Sequence, residues 1–419
     1  MAATDKPISD QLRAYREKRA PEATPEPFGK GRGTGARRFV VQKHFARRLH
    51  YDFRLEHDGV LKSWAVPKGP SFDQQEKRLA VQTEDHPIEY ADFEGIIPDG
   101  NYGAGAVIVW DRGLWIPRED FDEGMEKGKL LFELRGYKLH GSWTLVRIKK
   151  GNGKEWLMIK ERDAWMSADG DPAVSERSVF SGLTVEELKA GRDLAGEARE
   201  RVAELGGKQR ALRVRDAGLM LAQTRDDAFT DAGWVFELKY DGYRLLASRE
   251  GGASQPVLMS RNGHDLTAVF PEVAHAVEML PYTDFVLDGE VVVHDDSGRP
   301  SFQRLQKRGR LTQRYDIQRA TIELPATFYA FDLLAMEGFD VRQLPLVQRK
   351  AVLKEVLPPV GPIKFADHIE ERGEDFFEQV QAMELEGIMA KKADSRYRAG
   401  RSASWFKIRS DRMAEVVLV

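Results

Sequence analysis

Between residues 38 and 160 the chain keeps returning to one pattern: short β-rich runs cut off by turn clusters such as Asp58-Gly59 and Pro98-Asp99-Gly100. The runs Arg38 to Lys43, Leu49 to Glu56, Leu79 to Thr83, Ala106 to Trp110, Lys129 to Leu134, Ser142 to Ile148 and Trp156 to Lys160 have the length and residue types of strands. They predict a mainly antiparallel, barrel-like β domain. The residues before them, 1–36, are polar, with Thr24 to Pro27 reading TPEP and glycines at Gly31, Gly33 and Gly35. That composition predicts an arm with little regular structure.

Near Ser181 the pattern changes. LTVEELKAGRDLAGEARERVAELGGKQRALR, from Leu183 onward, is rich in helix formers with charges four apart, and Gly206-Gly207 interrupts it. It predicts a helical linker over 175–212. From Arg213 onward, strands (Trp234 to Asp241, Phe285 to Val293, Phe328 to Leu334, Ile388 to Lys392, Trp405 to Arg409) mix with helical stretches such as Glu272 to Leu280 and Glu371 to Met383. This predicts an α+β domain. The expected division is therefore 1–174, 175–212 and 213–419.

Composition narrows the chemistry. With 42% hydrophobic and 31% charged residues the chain is not disordered, and its net charge of −3 requires any nucleic-acid binding to come from local basic patches. Zero cysteines exclude disulfides, thiolate catalysis and Cys-ligated metal, so a metal would need His, Asp, Glu or water. The first twenty residues have no apolar h-region and no run approaches the ~18–20 apolar residues of a membrane span. A cytoplasmic, nucleoid-associated protein with no membrane partner is the expectation.

In LHYDFRLE, Leu49, Tyr51, Phe53 and Leu55 alternate with His50, Asp52, Arg54 and Glu56, so one strand face carries metal-binding residue types. His44 and His86 are close enough in sequence to join them. A solvated sheet face alternates in the same way. The local charge favours the functional reading, because Lys30, Arg32, Arg37, Arg38, Lys43, Arg47, Arg48 and Arg54 cluster in an otherwise neutral chain. Crowded cations call for phosphate, and imidazole with carboxylate suits Mn²⁺, Zn²⁺ or Fe²⁺ better than Ca²⁺.

The block QKHFARRLHYDFRLEHDGVLKSWAVPKGPS, followed by RLAVQTEDHPIEYADFEGIIPDGNYGAGAVIVWDRG, resembles the 3′-phosphoesterase module of bacterial DNA ligase D. The resemblance implies a Mn²⁺-dependent enzyme that trims a 3′ ribonucleotide and removes the 3′ phosphate. It implies His44, His50 and Asp52 as metal ligands, with His86, Arg54 and Arg78 on the scissile phosphate. Gln42 and Tyr90 would support them, and Arg19 and Glu26 of the arm would close over the site. Where the family has an acidic residue after Lys18-Arg19, this chain has Ala20.

The run WVFELKYDGYRLL places Glu237 and Lys239 on one strand face ahead of the Asp241-Gly242 turn. SRNG, LDGE, FYAFDLL, EGIMAKK and WFKIRS follow in order. Each has an ordinary structural reading, a turn, a strand carboxylate or a core aromatic. Together they resemble the motifs of covalent nucleotidyltransferases, the ATP-dependent ligases and capping enzymes. The resemblance implies Lys239 as the nucleophile that forms a lysyl–AMP, its proton displaced by cations such as Lys391 and Lys407. It further implies that Glu290 and Glu386 hold Mg²⁺, that Arg244 and Arg261 contact ribose and phosphate, and that Phe331 stacks on adenine. Glu237, Lys391, Lys407 and Arg409 complete the nucleotide-binding set, Arg409 standing where the family commonly has lysine.

The combined expectation is a DNA end-healing and end-joining enzyme using ATP, Mg²⁺ and Mn²⁺. It would act on DNA ends, some with 3′ ribonucleotides, with an end-bridging protein and a polymerase supplied separately. RNA repair or capping, and a non-catalytic DNA-end scaffold, are the alternative readings. MAEVVLV, before Val419, resembles the first strand of the OB-fold of complete ligases, so weak nick sealing by a truncated or partial form is also expected.

Overall fold

A computed structural model of the chain describes residues 8–29, 37–167, 174–251 and 255–410. Lys30, Arg32, the arm glycines at 31, 33 and 35, and the MAEVVLV stretch lie outside the described residues. The chain forms two compact units, Met1–Arg192 with Pro358–Gly361 and Asp193–Leu357 with Pro362–Val419.

The first unit is a closed antiparallel barrel. Arg38–Phe45 pairs on one side with Leu49–His57 and on the other with Gly105–Pro117. The path runs on through Val60–Val66, Arg78–Gln82, Glu155–Lys160, His140–Arg147 and Lys129–Gly136 back to Gly105–Pro117. Period-two alternation sends Phe39, Val41, Phe53, Leu55 and Trp64 into one core with Phe132, Trp143 and Trp156. The expected strands are all present. Val60–Val66 is an addition, hidden in the sequence because Lys62 and Ser63 interrupt its apolar run.

The other face of Leu49–His57 is not solvated: Asp52, Arg54 and Glu56 are buried. Part of the cover is the arm, which contains two short helices, Ile8–Gln11 and Arg13–Glu17, where little regular structure was expected. Leu12 and Tyr15, three residues apart among charged neighbours, are buried anchors too sparse to register as a helical pattern. The Tyr15 ring lies 4.9 Å from the His86 ring and 6.1 Å from that of Tyr90.

The stretch expected as a helical linker contains two separate helices. Val185–Lys189, started by a Thr184–Glu187 capping box, packs on the barrel strand Gly105–Pro117. Leu194–Glu204 packs in the second unit against Leu346–Val356, with Val202 in the core.

The second unit is α+β, with two sheets. The larger orders Lys208–Gln209, Phe339–Asp340, Ala326–Met336, Asp284–Val293, Tyr243–Glu250 and Val257–Ser260, with Ile363–Phe365 parallel to Ala326–Met336. Helices Pro271–Met279 and Leu346–Val356 cover it. The smaller orders Met220–Thr224, Gly400–Arg409, Gly387–Lys392, Trp234–Leu238 and His368–Glu370, backed by Gly373–Ala382. Its core is Phe236, Val380, Ile388, Ala390 and Ile408.

A buried ion pair ties helix to sheet beside Phe331. Arg349 donates from Nε and Nη2 to Asp332 at 2.7 and 2.8 Å, and from Nη1 to the Ser395 carbonyl at 2.9 Å, with both partners fully buried. Removing one partner strands the other charge, at a cost of about 3–5 kcal/mol. Arg349→Met should therefore lower the urea midpoint of the second unit's unfolding and leave that of the barrel unmoved. A loss below about 1 kcal/mol would show that the pair does not hold this strand.

Candidate active sites

The barrel carries a cavity of ≈ 950 Å³ lined by Arg19, His44, His50, Asp52, Arg54, His86 and Tyr90 among others. The ladder register explains the grouping, since His44 faces His50 and Gln42 faces Asp52 across adjacent strands. Ligand atoms of His44, His50 and Asp52 all lie within 4.8 Å of one another.

Each imidazole has one nitrogen occupied by a backbone carbonyl. His44 Nε2 is 2.8 Å from Gly103 O, and His50 Nδ1 is 3.0 Å from Arg48 O. A carbonyl only accepts, so those nitrogens carry protons, and His44 Nδ1 and His50 Nε2 are the ring atoms that face Asp52, at 3.5 and 3.7 Å. This is the arrangement a metal-binding histidine needs, with its second nitrogen held from behind. Arg54, 3.2 Å away, leads His44 and His50 in holding the Asp52 carboxyl far below its usual range against the opposing effect of burial. Two imidazoles and a carboxylate fit a divalent transition metal.

Behind them is a chain of hydrogen bonds. Arg54 donates to Gln42 Oε1 at 2.8 Å and to Ser63 Oγ at 2.9 Å, while Gln42 donates to the carbonyls of Tyr90 and Phe93. Burial, then the Arg54 and Arg19 cations, push His86 well below the ordinary imidazole range. Its Nδ1 donates to Glu84 O at 2.8 Å, which leaves Nε2 without a proton. His86 thus enters the site neutral, not as a cation. Arg19 is lodged between Glu26 at 2.9 Å and Glu84 at 3.2 Å, and Tyr90 OH donates to Glu26. Arg78 does not line the cavity; it pairs with Glu76 at 2.6 Å. Glu84 and Tyr102 line it without having been singled out in the sequence.

In the second unit a cavity of ≈ 190 Å³ gathers Glu237, Lys239, Arg244, Arg261, Glu290, Phe331, Lys391 and Lys407. Glu237 stands opposite Met389 and Val235 opposite Lys391 in the Trp234–Leu238 ladder, and the Lys239 N–H continues the pairing to Gly387 O at 3.0 Å. Gly242 lets the turn close: a Cβ there would sit 2.4 Å from Val291 O and 2.6 Å from Glu290 Cγ. Arg409 and Glu386 are not in the lining, but Glu386 ion-pairs with Lys239. Met389, Trp405, Tyr240 and Arg401 line the cavity and were missed. Met389 and Trp405 lie inside the quoted motifs but read as ordinary strand core.

The charge around Lys239 differs from the expectation of cationic neighbours. Lys391 is neutralised by Glu237 at 2.5 Å, and its ammonium lies over the Phe331 and Trp405 rings at 4.1 and 4.3 Å. The group nearest the Lys239 ammonium is the Glu386 carboxylate. Lys407 does share the positive field: burial, then Arg409 and Lys239, push its ammonium below the usual range. Arg244 is already paired with the fully buried Asp288 at 2.6 Å, and Tyr397 donates to the same carboxylate.

The carboxylates fit a cation. Glu386 Oε2 is buried with no hydrogen-bond partner among the described residues, and burial pushes Glu290 up to about 8. A carboxyl raised on folding stabilises below its unfolded value and loses that contribution as pH rises to the folded one. In metal-free buffer, stability should therefore fall between roughly pH 4.5 and 8 with a component approaching about 1.4 kcal/mol per pH unit. Glu290→Gln should remove that component from thermal melts. An unchanged pH slope in the variant would place the linkage elsewhere.

Residues 42–147 match the DNA ligase D 3′-phosphoesterase domain family, and residues 219–409 match the ATP dependent DNA ligase domain family. The multifunctional non-homologous end joining protein LigD of Pseudomonas aeruginosa is 42% identical over 427 residues, covering 99% of this chain and 49% of that protein. The protein of the same name from Mycobacterium bovis is 37% identical over 418 residues, covering 99% and 47%. A solved structure of mycobacterial DNA ligase D complexed with ATP and MES is 34% identical, with a TM-score of 0.41, over 47% of this chain and 62% of that one. The chain spans about half the length of the curated relatives it matches. Both matched domains occur here in a single chain, in the same order as the two sites: a DNA ligase D 3′-phosphoesterase domain followed by an ATP-dependent DNA ligase domain, with similarity to LigD proteins over 99% of its length.

Proposed function

We propose that this chain heals and joins DNA ends: the barrel, within residues 1–192, restores a 3′-hydroxyl, and the second unit forms a lysyl–AMP for strand joining. The observation that carries the reading is that one chain holds two separate sites. One pairs a His₂Asp cluster with Arg54 and His86; the other places Lys239 in a cavity between Phe331 and a set of cations.

In the first site His44, His50 and Asp52 would hold Mn²⁺, which when bound offsets phosphoryl charge and lowers the pKa of water. Arg54, fixed by Gln42 and Ser63, presents its guanidinium to the phosphate at no cost in reorganisation. A phosphate dianion offsets the cations that keep His86 neutral, so His86 takes up a proton as substrate arrives. Nε2 then hands it to the leaving 3′ oxygen. The arm residue Arg19 closes over the same phosphate, in exchange for part of its contact with Glu84.

In the second site Phe331 stacks on adenine while Lys391 and Trp405 fix the ring's position. Glu386, held above the ordinary carboxylate range by burial, is the nearest acceptor for the Lys239 proton. Mg²⁺ would be held by Glu290 and Glu386 and would offset triphosphate charge. Arg244, Arg261, Lys407 and Arg409 supply the remaining cations for phosphate and ribose, and the amine of Lys239 attacks the α-phosphorus with pyrophosphate leaving. DNA ends with 3′ phosphates or 3′ ribonucleotides are the substrates, with an end-bridging protein and a polymerase acting beside this chain in the cytoplasm, at the nucleoid. No described helix is long and apolar enough to cross a membrane.

Two experiments test the sites independently. Lys239→Ala should abolish transfer of label from α-labelled ATP to protein while leaving 3′-phosphate removal intact; retained labelling would move the nucleophile elsewhere. With Mn²⁺ the chain should convert a 3′-phosphate primer to a 3′-hydroxyl, and Arg54→Ala should slow this by roughly 10²-fold or more. A primer left unchanged by the wild-type chain with Mn²⁺ would refute the healing reading, Ala20 notwithstanding.

A further inference from the structure

Glu237 lines the nucleotide cavity at only 2% exposure, and two buried ammonium groups converge on it. Lys391 donates to Oε2 at 2.5 Å. Lys350, from helix Leu346–Val356, lies 2.7 Å from Oε1 and is 1% exposed. Two cations facing one carboxylate out of water is an expensive excess of positive charge for stability alone, because buried pairs seldom repay their desolvation. Lys391 already lines the cavity, so its presence has a direct reading. Lys350 does not line it, and the adenylation motifs leave it out.

Four contacts define what Lys350 holds. Besides Glu237, its ammonium donates to Ala366 O at 2.8 Å and to Phe331 O at 3.5 Å, and both Ala366 and Phe331 are part of the cavity wall. It lies 4.6 Å from the centre of the Phe365 ring. The same group thus braces the strand of Glu237 and the segment that follows Ile363–Phe365. Lys350 is also the foremost of the cations that keep the Glu237 carboxyl below its usual range against burial, with Lys391 next. With one ammonium at each oxygen, the carboxylate plane cannot turn. Oε1 meets the Lys350 ammonium at 2.7 Å and, as a carboxylate oxygen with two lone pairs, can accept once more. A buried acceptor that is fixed, ionised and has a lone pair to spare, in the wall of a cavity for a purine nucleotide, is a place for a donor from the ligand.

We propose that Lys350 is a positioning residue for base selection: it holds Glu237 so that Oε1 accepts a hydrogen bond from the 6-amino group of the purine. The inference rests on the adenylation reading above. Lys350 would never touch the nucleotide; through Glu237 its effect falls on the 6-amino group alone, whereas a lost brace on Ala366 and Phe331 would weaken both nucleotides alike.

The test measures covalent nucleotide transfer to the full chain with ATP and with purine riboside 5′-triphosphate, which lacks only the 6-amino group. The wild-type chain should favour ATP by on the order of 10-fold in kcat/KM, the worth of one hydrogen bond to a charged acceptor. Lys350→Met should shrink that preference to about threefold or less, mainly by raising KM for ATP, and Lys350→Arg should restore most of it. A folded Lys350→Met chain with the full preference overturns the proposal. If that variant does not fold, Lys350→Gln carries the same comparison. A wild-type chain that uses both nucleotides equally overturns the proposal without any variant. A wild-type chain that takes up neither nucleotide overturns the adenylation reading itself, a distinct outcome.

Discussion

At both sites a charge that leaves water is met by an opposite charge, most often brought by a second element of the fold. Asp52 on one barrel strand is met by Arg54 on the same strand and by His44 on its neighbour. Glu237 on one small-sheet strand is met by Lys391 from the next strand and Lys350 from a helix. Asp332 and Arg349 pair in the same way between strand and helix. The pairs that join separate elements cannot form before the surrounding fold does. The electrostatics of the sites and the packing of the units are therefore one problem, and a change in either is felt in the other.

The two sites differ in the room they leave around those pairs. In the barrel, Arg47, Arg48 and a neutral imidazole border a cavity of ≈ 950 Å³ beside Arg54 and Arg19, which are paired with Asp52 and with Glu26 and Glu84. A phosphate would fit among those cations. In the second unit the cavity is ≈ 190 Å³, and several of its charges already have partners, Lys391 in Glu237 and Arg244 in Asp288. On the proposed reading, adenine would rest there on flat apolar surface and fixed acceptors, leaving Lys239, Arg261 and Lys407 at the phosphate end.

What the sequence made legible follows from how local each signal is. Strands with clean alternation, such as Leu49–His57 and Trp234–Leu238, stood out because one face had to be apolar. Tyr243–Glu250, and the helices Phe302–Gly309, Arg314–Glu323 and Leu346–Val356, did not, because their apolar positions are few and charged residues punctuate them. The motif residues came together, while their partners remained hidden. Lys350 and Glu84 have significance only through contacts made across the fold. Tyr15 looked like one aromatic in a charged arm, although its ring packs on His86. The motif resemblance implied that cations would surround Lys239; the structure places Lys391 against Glu237 instead, since a carboxylate two residues from Lys239 competes for the nearest ammonium.

Why such sites would share a chain follows from the chemistry of the joint. Strand joining needs a 3′-hydroxyl to attack a 5′-adenylated phosphate, and a 3′ phosphate cannot make that attack because its terminal oxygens carry charge and are bonded to phosphorus. An end adenylated before its partner is healed would be stranded as an activated but unusable intermediate. On the proposed reading, the product of the barrel chemistry would be the reactant the second unit needs, and the DNA itself would carry the new hydroxyl, so no channel between the units would be required. Tethering raises the chance that the same end meets the second site next, as an effective concentration and not as a contact. Order is then enforced by reactivity: an unhealed end can be bound and released many times without being consumed, whereas a healed end is removed from the cycle once joined.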